Sequence, residues 1–198
     1  MPPPVPDAAA ANAARTIALQ MLEERGRGAV LVGVARVDAA LEHLLQALMA
    51  PAPTKGDGLF LPDRPLGSLG AKVALARRLG LIDAHVERAL SALRKLRNAF
   101  AHSTESASLS DQSHSSRLAA IYAEARANPL WSPLEAVLNA QSSSPQGSLD
   151  PALRDYILLI TILVAFLEAT AQQLQPFQPP VVMGLSGISR SDSSTMAP

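Results

Sequence analysis

The sequence predicts an all-α fold, a bundle of about five to seven helices, and three observations carry that prediction. Val30, Val34, Val37, Leu41, Leu44, Leu45 and Leu48 recur at intervals of three and four, the spacing that lines up side chains on one face of a helix. At roughly 100° per residue, Val86, Leu90, Leu93, Leu96 and Phe100 fall within about 120° of arc. Residues suited to starting helices, Asp7, Ser68, Asp83 and the pair Asp150-Pro151, stand just ahead of helix-like runs.

Taken in order, Asp7 caps an alanine-rich helix running to about Glu24, where Gly26 and Gly28 break it. The second helix stops before Pro51. Residues 52–67 hold Pro, Gly and Asp throughout and read as a long loop, with Leu59, Phe60 and Leu61 expected to anchor it against the bundle. Ser68 caps a short third helix through Leu79, with Gly80 as left-handed terminator and Leu81 as its apolar follower. Asp83 caps a fourth helix running to about Ala101. Residues 103–116, dominated by serine, read as a mobile connection. Two shorter helices, at about 117–127 and 132–140, flank Pro129-Leu130-Trp131. The last helix runs from Asp150-Pro151 to about Gln175 and contains the apolar run Ile157–Leu167.

That run is about half the roughly 20 residues needed to span a bilayer and has Arg154, Asp155 and Glu168 on its flanks. It reads as a central core helix, with no membrane role. Residues 1–6 are read as a flexible start, 7–175 as one domain, and 176–198 as a disordered tail rich in Pro and Ser. The proline-rich start lacks the basic and apolar segments of a secretory signal, so a cytoplasmic location is expected.

Lys+Arg and Asp+Glu both total 17, so the molecule as a whole lacks the positive field that drives binding to a phosphate backbone. Aromatic residues make up 4%, too few for a base-stacking platform. Cysteine is absent, which excludes thiol catalysis and cysteine-ligated zinc. His43, His85 and His114 show no metal-ligand spacing, and neither metal nor cofactor is expected. Gly26-Arg27-Gly28, Gly67–Lys72 and Gly184-Leu185-Ser186-Gly187 lack the strand–loop–helix settings of a dinucleotide loop, a P-loop and a nucleophile elbow.

Charge becomes informative near residue 97. Arg97 falls inside the arc of the fourth helix's apolar stripe, and a charge there needs a carboxylate, a second subunit or an anionic ligand. Asp38 and Glu42, one turn apart at the edge of the second helix's stripe, are the candidate partners for Arg97 or Arg94; an ordinary inter-helix ion pair is the simplest form of that contact. Between Ala71 and Ala101, Lys72, Arg77, Arg78, Arg88, Arg94, Lys95 and Arg97 stand against Asp83 and Glu87. This local net of +5 could draw phosphate or RNA, but a solvated basic helix face compensated by acids elsewhere is the simpler account. His102 lies five positions beyond Arg97, about 140° away on an unbroken helix.

The string Arg94-Lys95-Leu96-Arg97-Asn98-Ala99-Phe100-Ala101-His102 resembles the Arg-polar-x3-His signature of the HEPN superfamily. Two further stretches, Arg27–Val32 continuing to Asp38–Leu45 and Pro65–Lys72 continuing to Leu79–Ile82, make residues 20–103 similar to the mannitol operon repressor family, a branch of that superfamily. The resemblance implies a HEPN-type helical bundle, and a homodimer with an interface on the fourth and last helices is expected. It also implies a regulatory interaction protein acting through protein contacts or a ligand, with Arg94, Lys95, Asp38, Glu42 and Lys72 as binding residues. No helix for reading DNA is evident. The alternative it implies is a metal-independent endoribonuclease, the toxin of a toxin–antitoxin pair being one form, in which Arg97, Asn98 and His102 from two subunits cut RNA.

Overall fold

A computed structural model describes residues 8–24, 26–52, 58–102, 107–142 and 149–190. Within them the chain folds as an all-α bundle: α1 (Ala8–Glu23), α2 (Arg27–Leu48), α3 (Leu69–Arg78), α4 (Ala84–His102), α5 (Gln112–Arg126), α6 (Trp131–Ser142) and α7 (Pro151–Gln173). A two-stranded antiparallel hairpin, β1 (Val181–Gly184) and β2 (Gly187–Arg190), follows.

The helix ends follow local chemistry. Ser68 Oγ accepts from Ala71 N–H, Asp83 Oδ1 accepts from the amides of His85 and Val86, and Asp150 accepts from Ala152 N–H ahead of Pro151. Each satisfies an amide that the first helical turn leaves unpaired. α3 ends with Gly80 at φ +72°, where Gly80 N–H donates to Arg77 O and Leu81 N–H to Ala76 O. This is the left-handed termination that glycine permits. Asp7 lies outside the described residues.

α7 is the central helix. Residues 155–165 are buried without a break, covered chiefly by α2 and α1, with α5 and α6 completing the shell. α2 comes close to α7 at Gly33, where a Cβ would stand 2.6 Å from Tyr156 Oη and 3.1 Å from Ile160 Cγ1. One turn earlier on α2, the carbonyl of Val30 accepts the Tyr156 hydroxyl at 3.0 Å. The apolar surface of the last helix is therefore covered largely within the chain, which offers no support for placing a dimer interface on α7. No helix among the described residues is long and apolar enough to cross a membrane.

Two expectations are corrected. α5 begins at Gln112, inside the stretch read as a connection, because His114 is buried with its ring 5.2 Å from that of Phe100 and Leu118 and Tyr122 continue the buried face. An aromatic imidazole replaces the aliphatic anchor that periodicity looks for; residues 103–106 lie outside the described set. Among the described residues of the long loop only Phe60 is buried, within a single 3-10 turn (Gly58–Phe60), while Leu59 and Leu61 stay exposed. Beyond α7, Phe177 N–H donates to Leu48 O at 2.6 Å ahead of the β1–β2 hairpin; residues 191–198 lie outside the described set.

Candidate functional site

α2 brings Asp38 and Glu42 onto one face, and α3 lays Lys72 across them. Lys72 Nζ donates to Asp38 Oδ1 at 2.9 Å and to Glu42 Oε2 at 2.7 Å, with the Phe60 ring centroid 5.9 Å away on another side. Lys72 is 3% exposed, whereas the two carboxylate side chains remain about one-third exposed, at 34% and 32%. Burial by itself would depress the ammonium's pKa. The hydrogen bonds and charges of Glu42 and Asp38 outweigh it, so Lys72 titrates above the ordinary lysine value and stays charged.

This cluster corrects the pairing expected for Arg97. Asp38 and Glu42 are inward-turned as the sequence indicates, but their cation is Lys72, and Arg97 is exposed. The reason lies in how α3 meets α4. Arg94 Nη1 lies 3.2 Å from where a Gly70 Cβ would be, and Arg77 Nε pairs with Glu87 Oε2 at 3.3 Å, seven residues back along α4. The two helices thus run antiparallel, and α3 starts opposite Arg94. One turn farther along α4, Arg97 lies beyond the start of α3 and is exposed. Leu96 and Phe100 on either side of it stay buried against the rest of the bundle, but the flank of α4 that carries Arg97 is the one that α3 covers earlier, and here it is open.

α4 continues unbroken through His102, so His102 does not fold back toward Arg97. Arg97, Asn98 and His102 are all exposed. The structure leaves them at one end of one helix without enclosing them. Arg94 and Lys95 are exposed too. Of the seven basic residues between 71 and 101, Lys72, Arg77 and Arg88 are paired with acids. Arg78, Arg94, Lys95 and Arg97 have no ion-pair partner among the described residues. The basic character of this run is therefore concentrated toward the C-terminal end of α4.

Two features of this region escape a sequence reading. Arg27, the first residue of α2, donates from Nη2 to the carbonyl of Ala101 at 2.7 Å, tying the start of α2 to the last turn of α4, where the helix dipole favours a cation. Its only sequence signal is its place between Gly26 and Gly28. Beside Arg94, between α3 and α4, lies a cleft of about 330 Å³ lined by Ser68, Gly70, Ser91 and Glu87 among others. Its polar lining comes from helix faces that look merely solvated in the sequence.

Among the described residues no group of three or more His, Asp or Glu side chains is placed to hold a metal ion. Comparison with protein-family models, with curated proteins and with solved structures finds no match for this chain.

Proposed function

We propose that the chain is a regulatory interaction protein of the kind the mannitol operon repressor resemblance implies, acting through protein contacts or a small ligand instead of a DNA-reading helix. The observation that carries this reading is the exposed basic end of α4. Arg94 and Arg97 stand out from the bundle with no acid among the described residues, while the nearby acidic pair is already committed to Lys72. An open, cationic helix end suits an acidic segment of a partner better than it suits chemistry needing exclusion of water.

The second reading is a metal-independent endoribonuclease. The exposure of both Arg97 and His102 favours it, since a second subunit then has access to complete a cleft around RNA, with His102 moving a proton and Arg97 stabilising the charge that develops as a 2′-hydroxyl attacks. Incubating the purified protein with structured and single-stranded RNAs in EDTA, beside His102→Ala, separates the two. The regulatory reading expects no cleavage by either protein. Metal-independent cleavage by wild type that falls about 10²- to 10⁴-fold in His102→Ala overturns it.

A further inference from the structure

We propose that the cleft between α3 and α4 binds a small carboxylate with a short apolar body, gripped by Arg94. The cleft holds about 330 Å³, at the low end of the range for small-molecule sites. It exists because the face that α3 turns to it carries Gly70, Ala71 and Ala74, side chains too small to fill the space. Across from them, Glu87, Leu90, Ser91 and Arg94 follow one another at the three- and four-residue spacing of a single face of α4. Leu90 and Val73 are both buried and give the cleft an apolar floor.

The charges around that floor favour an anion at one end. Glu87 and Arg94 are the charged residues of the lining, and they differ in what they meet. Glu87 is held by Arg77 at 3.3 Å, whereas Arg94 has no ion-pair partner among the described residues. Arg94 is nevertheless placed: its Nη1, Cζ and Cδ lie 3.2, 3.6 and 3.7 Å from where a Gly70 Cβ would be, so the guanidinium lies against the first turn of α3. That end of a helix dipole disfavours a cation and favours an anion. An anion seated beside Arg94 gains from both.

A carboxylate suits this end better than a phosphate does. The guanidinium fork matches two carboxylate oxygens, and one unpaired cation balances one negative charge. Glu87, roughly 10 Å back along α4, disfavours a second. Ser91, one turn before Arg94 on the same face, supplies a further donor, and the floor of Leu90 and Val73 receives a short aliphatic body.

This inference does not rest on the regulatory reading, since Arg97 and His102, on which the RNA test turns, are not among the residues lining the cleft. Titration of the full chain with sodium butyrate, followed by amide nuclear magnetic resonance at an ionic strength held constant with sodium chloride, is expected to shift the Gly70, Ser91 and Arg94 amides saturably, with a dissociation constant of about 1–10 mM. Acetate is expected to bind about 3- to 10-fold more weakly, having less apolar body to place on the floor. Arg94→Gln is expected to weaken butyrate binding by about 10-fold or more, while Arg78→Gln, which removes an equal charge outside the cleft, changes it by less than about 2-fold. Both arginines are exposed, so the helical circular-dichroism spectrum should be unchanged in each variant. The proposal is overturned by the absence of a saturable shift up to about 50 mM butyrate, by equal affinity for acetate, or by Arg78→Gln weakening binding as much as Arg94→Gln. Inorganic phosphate that shifts the same amides at lower concentration than butyrate overturns the choice of a carboxylate.

Discussion

Lys72 Nζ sits 2.7 Å from Glu42 Oε2, and this bond, with its neighbour to Asp38, joins α3 to α2 through a nearly buried cation. Removing the cation leaves two carboxylates facing each other at the edge of the core. Lys72→Met should therefore cost about 2–3 kcal/mol, below the ~3–5 kcal/mol of a fully buried broken pair because both acids can rehydrate in part. Adding Asp38→Asn and Glu42→Gln should recover much of the loss, as measured by urea denaturation midpoints. Arg97→Ala, at an exposed site, should change stability by less than about 0.5 kcal/mol. A larger loss at Arg97 than at Lys72 would reverse the assignment of the buried cation.

Alkaline pH should destabilise the fold. The pKa of Lys72 is raised above its ordinary 10.5 through its two acids, and burial raises Tyr122 and Tyr156 above their ordinary 10.0. A group with a raised folded-state pKa contributes its full stability below the unfolded value and loses it as pH climbs through the folded one. Denaturation midpoints should thus hold steady from about pH 8 to 9 and fall above about pH 10. In the Lys72→Met, Asp38→Asn, Glu42→Gln background the fall should be shallower, leaving the tyrosine share. A midpoint that is flat to pH 11 would contradict this account.

The α2–α7 crossing should tolerate no side chain at Gly33. A Cβ there meets Tyr156 Oη at 2.6 Å and Cε1 at 3.0 Å, and that hydroxyl is fixed by its bond to Val30 O. Overpacking of this kind typically costs about 1–3 kcal/mol, whereas alanine's better helix propensity returns at most about 1 kcal/mol. Gly33→Ala should come out destabilising by about 1–2 kcal/mol in thermal or urea unfolding. Gly33→Ala paired with Tyr156→Phe should lose less than the two single changes summed. Strict additivity would show that the hydroxyl does not limit the approach.

What the sequence determined by itself was local. The all-α class, the caps at Ser68, Asp83 and Asp150, the termination at Gly80 and the core character of α7 all follow from interactions within a few residues of each position, and the structure contains each of them. The inward turn of Asp38 and Glu42 was legible for the same reason, since both sit at the edge of a stripe whose phase is set by the helix alone. Only the tertiary structure decided which cation would meet them and which would stay in water. Arg97 and Lys72 both lie close to apolar neighbours in sequence, but burial requires another element opposite. α3 ends its cover of α4 at Arg94, just short of Arg97, and its own first turns carry Lys72 against α2. The first turn of α5 and the tail hairpin lay beyond a periodicity reading for a related reason. One rests on an imidazole packed against a distant phenyl ring, and the other is a short strand pair with no core face to impose a pattern.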